Sequence, residues 1–385
     1  MQYTGSITSK LPWAGTTIFT IMSALAQEHG AINLSQGFPN FETSGELIDL
    51  VHHYMQKGMN QYAPMQGILP LRKVIAEKTA ALYGATINPE TEITITSGGT
   101  QAIFTAITAL IRSGDEVIVI EPAYDCYVPA IELAGGTPVF VQLQAPDNHV
   151  DWTHVRNKIS AKTRMIMINT PHNPTGSFLT AADMRSLEQL TAGTDILILS
   201  DEVYEHLIFD GQQHQSVLRF PELAARSLVV YSFGKTYHTT GWKMGYCIAP
   251  ENLMVEFRRV HQFMVFCANA PIQYALADYM QNKNYLELPD FFQQKRDHFL
   301  KLLQGSAFRF TPAGGSYFQL LDYSAITDEK DTDFAIRLTK EVGVASIPTS
   351  VFYRQPTDRK LLRFCFAKTD ETLEQAAERL LRVNS

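Results

Sequence analysis

The stretch VYSFGKTYHTTGWKMG, residues 230–245, decides how this chain is read. Lys235 stands where a β-like apolar run gives way to Gly, Thr and Trp, and Lys243 follows eight positions later. An amine at the end of a buried strand is costly to keep charged. It is either a side chain snorkelling to the surface or a group placed for chemistry. The residues around it decide which.

Working outward, seven apolar, β-rich runs cover 92–98, 115–122, 137–143, 164–171, 195–202, 227–233 and 243–250. Several are continuously apolar, as strands buried on both faces are. Helix-patterned stretches such as TQAIFTAITALIRSG (100–114) and TAADMRSLEQLTAG (180–193) lie between many of them. This alternation predicts an α/β fold with a mainly parallel seven-stranded sheet sandwiched by helices. The last two runs are too close for a helical crossover, so 243–250 is expected to be the antiparallel member. After about residue 280 the pattern changes to charged helices (291–305, 371–383) and two strand candidates, SYFQLLDY (316–323) and LLRFCFA (361–367). Three units are expected: an N-terminal segment, 1–35, packing with the small domain; a large domain, 36–280; and a smaller α+β domain, 281–385.

The chain of 385 residues carries 32 basic and 39 acidic side chains, a formal net charge of -7. With no basic cluster, it gives no electrostatic reason to expect nucleic acid or an anionic membrane. Cys126, Cys247, Cys267 and Cys365 lack metal-ligand spacing and read as structural. The first residues show neither a basic nor an apolar signal region, and no apolar run reaches the ~18 residues of a membrane span. A cytoplasmic protein with no metal is expected.

In a parallel α/β sheet, ligands gather at the carboxyl ends of strands. The first run ends in SGGTQA. Gly98, Gly99 and Thr100 there form either an anion site at a helix start or an ordinary glycine turn with a threonine cap. The second ends in EPAYDCY, where Tyr124 either stacks on a flat ligand ring or belongs to the core. NTPHNPTG (169–176) makes a constrained turn with Asn173, and Asn173–Pro174 is a candidate cis bond. SDEVYEH (200–206) places Asp201 at a buried strand end with Tyr204 one helical turn on. Asp201 is either paired with a cation or a helix cap. Ser232 and Lys235 stand at the end of the sixth run, 227–233. The conjunction carries more than any member. Pyridoxal phosphate needs an amine for its aldehyde, an anion for its ring nitrogen, hydrogen bonds for its phenolic oxygen, a stacking partner, and N–H groups and cations for its phosphate.

These residues resemble those of the class I aminotransferases of pyridoxal-phosphate fold type I. The likeness spans nearly the whole chain, through NLSQGFP (33–39), NQYAP (60–64), NTPHNPTG, SDEVYEH, SFGKTYHTTGWKMGY (232–246) and LLRFCFAK (361–368). EPAYDCY and IPTSVFY (347–353) are most similar to the kynurenine aminotransferase/glutamine transaminase K group and the bacterial methionine aminotransferases. The resemblance implies that Lys235 forms the Schiff base with pyridoxal 5'-phosphate and moves the proton. It implies that Asp201 pairs with the ring nitrogen, and that Tyr204 and Asn173 serve the phenolic oxygen. Tyr124 is expected to stack, and Gly99, Thr100, Ser232 and Lys243 to hold the phosphate. Arg363 is expected to grip the substrate carboxylate, with Gly37 beside it. Tyr62 is expected to reach the neighbouring subunit's phosphate, which implies a homodimer. One departure is Lys243, where many members carry arginine; a lysine offers a point charge instead of a fork.

Phe19, Phe38, Tyr124, Phe352 and Tyr353 are candidates for an aromatic substrate pocket or for core. With no clear second arginine, methionine, glutamine, phenylalanine, tyrosine, leucine or kynurenine is the expected donor and a 2-oxo acid the acceptor. A cysteine-conjugate C–S β-lyase would use the same residues. A non-catalytic binder is the remaining alternative, against which stands the complete lysine, aspartate, tyrosine and arginine set and the lack of a DNA-binding domain.

Overall fold

The computed structural model describes residues 1 and 3–383. β1 (Ile32–Asn33) precedes seven strands that form one sheet: β2 (Ile93–Thr96), β3 (Glu116–Glu121), β4 (Thr137–Gln142), β5 (Thr163–Asn169), β6 (Leu197–Asp201), β7 (Ser227–Ser232) and β8 (Gly245–Ile248). Their order is β2-β8-β7-β6-β5-β3-β4. β8 runs antiparallel to both neighbours, and the remaining pairs are parallel. Each of the seven apolar runs is therefore a strand, and the run without room for a crossover is the antiparallel one.

The runs are continuously apolar because both faces are covered. Ile118, Ile120, Ile166, Ile168 and Val229 join one core with helices Leu69–Tyr83, Ala181–Thr191 and Ala270–Tyr279. Their neighbours Val117, Val119, Met165, Met167 and Val230 join a second core with helices Gly98–Leu110 and Glu251–Met264. Side chains alternate across a strand, so burying both sets requires apolar residues at every position. Thr180 caps its helix through a reciprocal capping box with Asp183, which satisfies donors the helix start leaves open.

A third core gathers Phe292, Phe299, Phe334, Phe364 and Leu380 around β9 (Phe318–Asp322), β11 (Ile347–Pro348) and β12 (Leu361–Cys365). Met22 of helix Ile18–Glu28 and Leu34 belong to this core. β1 pairs in parallel with β10 (Val344–Ala345). The site lies where β2, β5, β6 and β7 end and β12 approaches them.

Candidate active site

A cavity of about 360 Å³ is lined by Phe19, Gly37, Phe38, Gly99, Thr100, Tyr124, Asn173, Asp201, Tyr204, Ser232, Lys235, Lys243 and Arg363. Of the site residues expected from the sequence, Tyr62 and the pocket candidates Phe352 and Tyr353 do not line it. Tyr62 is 84% exposed and packs edge-on against Phe266, with ring centroids 5.3 Å apart.

The end of β2 turns directly into helix Gly98–Leu110. Gly98 sits at φ +82°, and Lys243, itself left-handed at φ +54°, lies against it. Gly245 allows the close approach of β8: a Cβ there would meet the Tyr231 carbonyl at 2.6 Å and the Gly98 carbonyl carbon at 2.9 Å. The helix start therefore offers N–H groups and its positive dipole end to the cavity. Ser232 and Lys243 line the same cavity.

Asp201, 5% exposed, ends β6. Its Oδ2 accepts from the Tyr127 hydroxyl at 2.6 Å and its Oδ1 from the Val203 N–H at 3.3 Å. Burial raises its pKa to about 6, against the lowering pull of these hydrogen bonds and of Lys235. Asn169 donates from Nδ2 to the Asp201 carbonyl at 2.9 Å and accepts the Asn173 N–H at 2.8 Å. The turn that follows β5 is thereby tied to the end of β6. The Asn173–Pro174 bond is cis. Burial pushes the Tyr204 hydroxyl well above its ordinary value.

Lys235 lies on the short helix Phe233–Thr236 at the end of β7. Its Nζ donates to the Tyr317 hydroxyl at 2.8 Å and the Gly37 carbonyl at 3.0 Å. Burial lowers its pKa to about 8, so a fraction of the amine is neutral near physiological pH.

Arg363, in the middle of β12, is 1% exposed. It donates to Asn173 Oδ1 and to the Ser35 carbonyl, both at 2.8 Å, while its buried Nε has no partner among the described residues. Its guanidinium lies 3.9 Å from the Phe318 ring centroid and 5.3 Å from those of Phe19 and Phe352. Phe352 thus backs the arginine, and Tyr353 lies under Arg359 instead, 5.5 Å from its guanidinium. Phe38 is 44% exposed at the rim. The four cysteines are free, and no group of three metal-ligating side chains occurs among the described residues. No helix there is long and apolar enough to cross a membrane.

Sequence reasoning missed Tyr127, Asn169 and Tyr317. Asn169 carries the one available signal, as a polar residue ending the apolar run of β5.

This arrangement of strand ends, helix start and buried lysine defines an enzyme of fold type I that works with pyridoxal phosphate. The chain belongs to the aminotransferase class I and II family, whose model matches residues 29–380. It is 51% identical over 374 residues to the methionine aminotransferase of Escherichia coli, covering 97% of each chain. It is 33% identical to human kynurenine–oxoglutarate transaminase 1, covering 92% of this chain and 93% of that one. A crystal structure of an Escherichia coli protein with a methionine aminotransferase function superposes with a TM-score of 0.96 at 50% identity, over 98% of this chain and 99% of that one. The protein is a pyridoxal-phosphate-dependent aminotransferase. The residues fit the cofactor: one cavity holds a buried amine, a buried carboxylate, a helix start and a ring-sized aromatic wall.

Proposed function

We propose that the chain moves the amino group of methionine, and of similar apolar, aromatic or amide-bearing L-amino acids, to a 2-oxo acid in two half-reactions. Glutamine, phenylalanine, tyrosine, leucine and kynurenine are within this class. The observation that carries the reading is the lining of the cavity. Arg363 is its one arginine among the described residues, with Phe19 and Phe318 against it and Phe38 and Tyr124 elsewhere in the lining. One fork suits one α-carboxylate. A second carboxylate would meet aromatic surface and go unpaired. The similarity to methionine and kynurenine transaminases supports the same choice.

Pyridoxal phosphate, once bound, supplies an aldehyde for the substrate amine and a protonated ring that draws electrons from the reacting carbon. Asp201 would be the anion for its ring nitrogen. Tyr204 and Asn173 would serve its phenolic oxygen, and Tyr124 would offer its ring an aromatic face. Gly99, Thr100, Ser232 and Lys243 would hold its phosphate. Arg363 fixes the substrate carboxylate, with Gly37 beside it, and so orients the α-hydrogen toward Lys235. Lys235 takes that proton and returns it, as a base with a pKa near the working pH does best.

We also infer that residues 1–35 and 281–385 act as one unit against 36–280, and that the enzyme is a homodimer. In that dimer Tyr62 of each chain reaches the phosphate of the other, which its exposure permits. Mixing a Lys235→Ala chain with a Tyr62→Phe chain would then form some sites with both residues intact.

The substrate reading is tested by kcat/KM over a donor panel. Methionine and phenylalanine should exceed aspartate by about a hundredfold or more, the scale set by a buried carboxylate left unpaired. Aspartate at parity with methionine would overturn it.

A further inference from the structure

Lys235, Tyr317 and Gly37 meet at one point although 82 to 280 residues separate them along the chain. The Tyr317 hydroxyl has a single proton, which it donates to the Gly37 carbonyl. Its oxygen is therefore left to accept, and Lys235 Nζ donates to it at 2.8 Å. A second N–H of Lys235 goes to the Gly37 carbonyl at 3.0 Å. A neutral amine has two N–H groups and one lone pair. With both N–H groups held by acceptors that are themselves hydrogen-bonded together, only the lone pair remains to face elsewhere.

We propose that Tyr317 and the Gly37 carbonyl are a fixed holder for the Lys235 amine, aiming its lone pair into the cavity, and that Tyr317 is thereby a positioning residue of the transamination. When the amine takes a proton, the new N–H lies on the cavity side and is returned from there. The other two keep their acceptors throughout, so the amine does not have to reorganise between taking and giving.

The holder is rigid. Tyr317 is fully buried and stands edge-on to Tyr204 and Phe318, with ring centroids 5.1 and 5.0 Å away. Gly37 allows the approach, because a Cβ there would meet Phe318 Cζ at 2.7 Å. The Lys235 ammonium also feels Asp201 and Cys365, which favour it, and Arg363 and Lys243, which oppose it. The Tyr204 and Tyr317 ring centroids lie 5.4 and 5.3 Å from Nζ. Against that background the Tyr317 oxygen favours the protonated amine, so removing it should make Lys235 easier to deprotonate.

The inference rests on Lys235 being the reactive amine, and the experiment separates the two claims. Apoenzyme is mixed with pyridoxal phosphate from pH 6 to 10, and the rate of covalent capture is followed by absorbance for wild type, Tyr317→Phe and Lys235→Ala. Wild type should show a midpoint near 8. Tyr317→Phe should shift it to lower pH, while kcat falls about tenfold and KM for methionine stays within about twofold, the scale of one lost hydrogen bond to a charged group. A midpoint identical to wild type overturns the holder, whatever kcat does. Normal capture by Lys235→Ala would instead overturn the role of Lys235.

Discussion

Arg363 donates through Nη1 to Oδ1 of Asn173 at 2.8 Å, joining the middle of β12 to the turn that follows β5. The proposed carboxylate fork and a residue proposed to serve the cofactor are thus held together by one hydrogen bond. Arg363→Ala should raise KM for amino acid and oxo acid alike by about a hundredfold, the scale of a charge-assisted bidentate contact. Arg363→Lys should recover only part of it, because a point charge lacks the fork. Steady-state kinetics with both substrates check this; an unchanged KM would make Arg363 structural.

Asp201 couples activity to stability in opposite directions. Its pKa is raised from 3.8 to about 6 by burial. The native state therefore binds the proton more tightly than the unfolded chain, and stability falls as pH rises through that window. Above it the full cost, on the order of 1–3 kcal/mol, is present. Asp201→Asn should raise the apoenzyme's Tm at pH 7.5 and raise it less at pH 5. The same variant should lose about a hundredfold or more in kcat, having no anion for the ring nitrogen. Calorimetry of both apoenzymes checks the first part; a lower Tm for the variant at pH 7.5 would contradict it.

Behind Tyr204 lies a buried ion pair. Lys78 bonds Glu205, which also accepts from Tyr83, and Lys78 donates to the Tyr246 hydroxyl at 3.0 Å. Burial lowers the Lys78 pKa, opposed by Glu205. Lys78→Met should destabilise the protein by about 3–5 kcal/mol, because it strands the Glu205 charge. Adding Glu205→Gln should restore much of the loss. Denaturant melts of both variants read this out, and simple additivity of the two changes would refute the account.

The large sheet was legible because burial on both faces leaves continuous apolar runs, as in TRMIMIN of β5. The orientation of β8 followed from the short link after Ser232. β1, β10 and β11 are two residues each, too short for any periodicity to register. Among site residues, those at the ends of long strands stood out as polar groups where apolar ones were expected. Tyr317 and Tyr127 did not, since a tyrosine beside apolar residues reads as core. Their partners, Lys235 and Asp201, are 82 and 74 residues away, and nothing local marks such a pairing.

The central claim is that Lys235 and the cavity around it run transamination on pyridoxal phosphate. The most direct test is the absorption spectrum of the purified protein, first alone, then with methionine, then with a 2-oxo acid. The account predicts the spectrum of lysine-bound cofactor, its conversion by methionine to that of the amine form, and its return with the oxo acid. Lys235→Ala should show none of this cycle at a normal rate. A cofactor spectrum that stays unchanged with methionine and with a panel of other amino acids would contradict the account.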